Sequence, residues 1–144
     1  MQYKTNWTKQ SEIERKWYLV DLDGKILGRA ATKIANLLSG KGKVNAVANL
    51  DCGDYVVVIN SKKVKVTNHK ELEKYYYSHS GYPGGFKQVR YDEMQAKKPD
   101  FIIWHAVNNM LPNNKLRDRK LTRLFIYPGT EYKQVAQKPI EVKI

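Results

Sequence analysis

Tyr55-Val56-Val57-Val58-Ile59 is an unbroken apolar run. A strand with one wet face alternates apolar and polar residues, so a run without alternation is the signature of a strand covered on both faces. Trp17-Tyr18-Leu19-Val20-Asp21-Leu22 is aromatic and β-branched enough for an earlier strand, and Asp23-Gly24 supplies a turn after it. Between the two, Leu27, Ala30, Ala31, Ile34, Leu37 and Leu38 recur at three- and four-residue spacing, which is one face of a helix, and Gly40 and Gly42 end it. Val64 and Val66 alternate as in a half-exposed segment, and Tyr75-Tyr76-Tyr77 is β-prone before a glycine-rich loop, Ser80-Gly81-Tyr82-Pro83-Gly84-Gly85. The strongest helix is expected between Pro99, suited to a first turn, and Pro112, with Ile103, Ala106, Val107, Met110 and Leu111 as its stripe. A short basic helix from Asn114 to about Thr122 and a last buried strand, Leu124-Phe125-Ile126-Tyr127, complete the pattern.

Strands alternating with helices favour an α/β fold with a largely parallel sheet. The 144 residues contain no repeat, low-complexity tract or linker. One domain of that length can bury roughly 70% of its unfolded surface. Residues 1–16 are polar and aperiodic apart from Trp7 and Ile13, and are expected to be an extended arm that orders on a partner, ahead of a single domain over 17–144.

Lys and Arg number 26 against 14 acidic residues, a formal charge of +12. A compact domain so charged repels itself, and the surplus points to a polyanionic partner. The net charge is +5 over residues 1–50, +2 over 51–100 and +5 over 101–144, so the excess is not one detachable tail. The single cysteine, Cys52, permits no intrachain disulfide and fits a reducing compartment. Met1 to Lys16 has no apolar run of the secretory kind, and no stretch approaches the ~20 apolar residues that span a bilayer. The expected location is the cytoplasm, with no membrane partner.

A nucleotide-directed enzyme is the natural rival for a small α/β domain. Neither G-x-x-x-x-G-K-[ST] nor a G-x-G-x-x-G opening a helix occurs. The Gly81–Gly85 loop has a phosphate loop's flexibility, but no helix start follows it closely, and it is expected instead as a turn that lets backbone approach RNA. His69, His79 and His105 stand alone and Cys52 has no partner at ligand spacing, so neither metal nor cofactor is expected. Asp51 and Asp54 flank Cys52-Gly53 as a catalytic pair would, though a turn or strand-cap role fits the position better. Asp92-Glu93 reads as helix-start chemistry, acidic residues at the positive end of a helix dipole.

The densest basic segment runs from Lys115 through Arg117, Arg119 and Lys120 to Arg123, five cations against Asp118 in nine residues. On a helix Leu116, Lys120 and Arg123 fall on one side at i, i+4, i+7, too polar a stripe to pin the helix by core contacts. Phosphates would relieve the crowding of like charge. Further clusters are Lys41 with Lys43, Lys62 and Lys63 with Lys65, and Lys97 with Lys98. Lys41 and Lys43 also suit a helix C-terminus, where cations complement the dipole. Lys87 and Arg90 follow the glycine loop, whose Tyr82 or Phe86 could stack on an unpaired base. Lysines outnumber arginines 20 to 6, which favours point-charge contacts with phosphate over bidentate base reading. If about six to ten such contacts form, affinity falls steeply with salt.

Several runs resemble one family. Trp17-Tyr18-Leu19-Val20-Asp21, Leu27-Gly28-Arg29-Ala30-Ala31-Thr32, Asp54-Tyr55-Val56-Val57-Val58-Ile59-Asn60, the loop from Ser80 to Gln88, Met110-Leu111-Pro112, Tyr127-Pro128-Gly129 and Ala136-Gln137-Lys138-Pro139 are similar, in order and spacing, to the bacterial large-subunit ribosomal protein L-thirteen family. The resemblance spans about residues 3–143. It departs at Asn108-Asn109, where the family has Lys-Gly, and at Asn49, Tyr132 and Gln134, where it has histidines. The resemblance implies a three-layer α/β/α domain with a four-stranded sheet, packed on large-subunit rRNA beside neighbouring large-subunit proteins and involved early in subunit assembly. It implies no catalysis, cofactor or small-molecule substrate. Arg29, Lys87 and Gln88 carry over as rRNA contacts. Two alternatives stay open: a free regulatory binder of mRNA, and an RNA- or nucleotide-directed enzyme around Asp51, Asp54 and His79.

Overall fold

The computed structural model describes residues 7–144. In chain order it contains β1 (Trp17–Asp21), α1 (Leu27–Ser39), β2 (Tyr55–Ile59), α2 (Lys70–Glu73), β3 (Tyr75–His79), β4 (Phe86–Arg90), α3 (Tyr91–Lys97), α4 (Pro99–Met110), α5 (Leu116–Leu121), β5 (Leu124–Ile126) and β6 (Ile140–Glu141). Four strands form a parallel sheet in the order β5-β2-β1-β6, and β3 and β4 form a separate antiparallel hairpin.

β2 pairs with β1 on one edge and β5 on the other, and both its faces are covered, which explains its missing alternation. Val56 and Val58 point into one layer, Val57 and Ile59 into another, and the three valines are fully buried. Burying each such side chain contributes about 1.5–3 kcal/mol. On the first face Ala30, Ala31, Ile34 and Leu38 of α1 and Ile102, Ile103 and Val107 of α4 pack with Val20, Leu22, Val56 and Val58. On the second face Leu19, Val57 and Ile59 meet Trp17, Phe125, Tyr127 and Tyr132. Trp17 lies flat on Tyr55, with centroids 4.3 Å apart and planes at 7°.

The unequal layers follow from handedness. The crossovers β1 to β2 and β2 to β5 step in the same direction, so right-handed connections put α1 and α4 on the same face. The return from β5 to β6 steps the other way and crosses the opposite face, where Tyr132 and a 3-10 turn at Gln134–Gln137 supply a thin third layer.

The expected α/β fold, the parallel four-stranded sheet and the helices around Leu27–Leu38 and Pro99–Met110 are all present. Three details differ. Leu124–Ile126 is half buried and not the last strand, because β6, too short to carry a period of its own, pairs with β1 beyond it. Val64 is buried in the main core, deeper than a half-exposed segment implies, with Val66 half buried against it, and Lys65 forms a bridge with Ile26. Phe86–Arg90, with no alternation to announce it, becomes β4 by pairing with the three tyrosines of β3.

Of the expected arm, residues 1–6 lie outside the described residues. Thr8 Oγ1 donates to the Asn45 carbonyl (3.1 Å), an Arg15 guanidinium N–H to the Asp51 carbonyl (3.2 Å) and the Lys16 amide to Asp54 Oδ1 (2.8 Å), which ties the described part of this segment to the body at Thr8, Arg15 and Lys16.

Candidate nucleic-acid interface

The basic segment forms a helix as expected, but two of its cations face the wrong way for phosphate. Arg123 is 7% exposed, and its two terminal nitrogens donate to the Asp51 carboxylate at 2.5 and 2.6 Å. Lys120 is 6% exposed. Together with Leu116 they make the inward side of α5, while Leu121 packs against the main core. The stripe expected to be weakly anchored is therefore the anchor, because a carboxylate on a distant loop converts a charged side into an ion pair. Arg123 is corrected from a phosphate ligand to a structural residue, and Lys120 leaves the exposed set. Lys115 and Arg119 remain exposed and Arg117 half so.

The other candidates divide in the same way. Arg29 is exposed on α1, and Lys41 is exposed just beyond its C-terminus. Lys43 is committed: its ammonium reaches Asp54 Oδ1 at 2.6 Å and the Glu14 carbonyl at 2.6 Å, tying the N-terminal segment to the loop before β2. Lys62 is exposed on a 3-10 turn at Ser61–Lys63, and Lys63 meets Asp23 at 2.7 Å in an exposed pair that holds the lysine's pKa above its usual value. Such surface pairs are worth little, so a phosphate can compete for Lys63.

Sequence reasoning overlooked Arg15. It lines a polar cleft of about 280 Å³ with Gln10, Asn49, Arg119 and Thr122, between the N-terminal segment and α5. No local pattern announces it, since the cleft forms only once α5 docks.

The hairpin is the second surface. Tyr76 turns inward, 8% exposed, against Tyr91, Phe101 and His105. Its neighbours turn outward: Tyr77 is 65% and Phe86 59% exposed. The Tyr77 and Phe86 rings are offset-stacked at 5.7 Å and 21°, and Tyr75 continues the series 6.4 Å from Tyr77. Gln88 pairs with Tyr77 and Arg90 with Tyr75 in register, which puts both on this face, while Lys87 opposite Ser78 is exposed on the other. Arg90 is held by Asp92, which keeps the carboxyl below its usual pKa and also accepts the Glu93 amide at 2.8 Å as α3 begins. The glycine loop closes the hairpin with positive φ at Gly81 and Gly84, leaving Tyr82 exposed at its tip. Three successive tyrosines were the available signal, since only the middle one is needed by the core.

The suspected catalytic trio does not assemble. Asp51 holds Arg123, Asp54 holds Lys43 and the Lys16 amide, and His79 sits at the end of β3, where its Nδ1 accepts the Gly81 amide at 2.9 Å. Asp51 and Asp54 thus have the turn and strand-cap role. The crevice beyond the carboxyl ends of β1 and β6, where α/β sheets usually take ligands, is lined by Val142, Lys143 and Ile144 of the chain itself. Lys25 Nζ donates to the Ile144 carbonyl at 3.0 Å and Lys33 Nζ to the Lys143 carbonyl at 2.9 Å.

A family model described as Ribosomal protein L13 matches residues 15–133. A large ribosomal subunit protein uL13 of Caldanaerobacter subterraneus subsp. tengcongensis is 48% identical over 141 residues, 98% of this chain and 99% of the relative. That of Syntrophotalea carbinolica is 49% identical over 140 residues, 97% and 99% of the two chains. That of Thermotoga maritima is 48% identical over 141 residues, 98% and 95% of the two.

Proposed function

This chain belongs to the ribosomal protein L13 family, and on that premise we propose that it is a structural constituent of the large ribosomal subunit that binds and organises large-subunit rRNA. The observation that carries the reading is the placement of its surplus charge. A formal +12 is spread over separate elements of a rigid domain, and Arg29, Lys41, Lys62, Lys87, Lys115 and Arg119 are all exposed. Cations distributed in this way suit a folded polyanion wrapped against the surface, because each neutralised phosphate releases counterions.

The role is structural, not catalytic. Contacts fall on phosphate and sugar through Arg29, Lys41, Lys62, Lys63, Lys87, Lys115, Arg117 and Arg119, and they position the RNA without reading its sequence. Joining distant rRNA segments early, before neighbouring large-subunit proteins arrive, is the assembly role this arrangement supports, and the place of action is the cytoplasmic ribosome. The test is crosslinking and sequencing from bacterial cells expressing the full chain, with sedimentation of the lysate. The expected result is co-sedimentation with large subunits and crosslinks concentrated in large-subunit rRNA. A chain confined to the free soluble pool, or a map dominated by messenger RNA, overturns it in favour of a free regulator.

A further inference from the structure

We infer that the outer face of the β3–β4 hairpin is a base-stacking site, on which Tyr75, Tyr77 and Phe86 take unpaired bases of an RNA strand. The inference rests on the rRNA-binding reading and adds a second kind of contact to it. A fold that seals Val56, Val57 and Val58 completely nevertheless leaves two large rings of this face more than half exposed. Contiguous exposed apolar surface of this kind marks an interaction site. The rings already lie in an offset series, Tyr77 within 22° of the plane of each neighbour. An added aromatic plane extends that series with little rearrangement.

The chemistry favours a nucleic acid over a protein as the occupant. From Lys74 to Arg90 the chain has no carboxylate; Arg90, on this face, is paired with Asp92, and Lys87 adds an exposed cation on the other face of the same strand. Gln88, in register with Tyr77, places an amide donor and acceptor beside the rings, where the polar edge of a stacked base falls. Exposed aromatic rings beside a neutral hydrogen-bonding group, on a domain of strongly positive charge, are how single-stranded bases are held without strict sequence reading. The mode differs physically from the lysine contacts elsewhere: stacking releases few counterions, so it contributes affinity without contributing salt dependence.

The test uses the full chain and deproteinised bacterial large-subunit rRNA. Wild type, the Tyr77→Ala/Phe86→Ala double variant and the ring-preserving Tyr77→Phe/Phe86→Tyr variant are titrated over a range of salt concentrations, and the complexes are irradiated for zero-length crosslinks. The double alanine variant should bind about ten-fold more weakly, the loss expected for a stacked base, with an unchanged salt slope. The ring-preserving variant should match wild type, and crosslinked nucleotides should map to the hairpin. If the double alanine variant binds as tightly as wild type and the hairpin yields no crosslink, the stacking site is refuted while rRNA binding stands. If wild type ignores the RNA even at low salt, the function proposed above falls with it. Crosslinks from the hairpin to another ribosomal protein in reconstituted subunits would replace the base with a protein partner.

Discussion

At the C-terminal end of α5 two side chains that turn inward, Lys120 and Arg123, are charged, whereas across the hairpin side chains that turn outward are aromatic. Arg123 and Lys120 are buried, and Tyr77 and Phe86 are exposed. Residue type alone would assign them the other way round. The difference lies in what each region packs against. α5 docks beside a loop that offers Asp51, and two hydrogen bonds to a carboxylate offset the cost of taking a guanidinium out of water. The hairpin rests on the body through Tyr76 and turns its far face outward, leaving the Tyr77 and Phe86 rings exposed. Charge here is divided between the buried interior and the exposed surface, and so are the aromatic rings.

The contrast can be broken most forcefully at the buried pair. Asp51→Ala leaves the Arg123 guanidinium buried without its counterion and should cost about 3–5 kcal/mol of stability, measured by urea denaturation. Arg119→Ala on the outer side of the same helix should stay within about 0.5 kcal/mol of wild type. Equal losses from the two would remove the distinction between inward and outward cations.

At the hairpin the order of effects reverses. Tyr77→Ala/Phe86→Ala should leave stability within about 1 kcal/mol, since neither ring contributes to the buried core. Its signature is the RNA affinity already described. A large loss of stability would mean the rings belong to the fold.

The inward tyrosines sharpen the point through pH. Burial pushes the Tyr76 and Tyr91 phenols up to about 12 from 10.0. The unfolded chain therefore gives up these protons first, so their contribution is complete below pH 10 and is lost as pH rises from 10 to 12. Both hydroxyls are buried with no hydrogen-bond partner among the described residues. Tyr76→Phe and Tyr91→Phe should each raise stability by about 1 kcal/mol and together flatten the alkaline limb of a denaturation series.

The smallest effects belong to single outward cations. Lys115→Ala or Arg119→Ala should each reduce the salt slope of RNA binding by about 0.7–0.9, one phosphate contact's share. Lys43→Ala should change stability more than slope, because its ammonium is already committed to Asp54.

How far these features can be read from the sequence depends on the reach of the contacts involved. β2, α1 and α4 are legible because burial imposes a period on adjacent residues: five apolar residues in a row, or every third and fourth. β6 leaves no such trace, because two residues are shorter than any period and the strand exists only by pairing with β1. Arg123 was misassigned for a related reason. Its partner lies 72 positions earlier, and a local window sees only a basic helix. Among the proposed contacts, Lys87, Gln88 and Tyr82 were legible from the loop, whereas Tyr75 and Tyr77 needed the hairpin register to separate them from Tyr76.

The salt dependence of wild-type binding to deproteinised large-subunit rRNA tests the central claim most directly. With about six to ten phosphates neutralised, the logarithm of the association constant should fall with the logarithm of salt concentration at a slope of roughly −4 to −9. A slope near zero, or no binding at low ionic strength, would contradict the assignment of the outward cations to RNA.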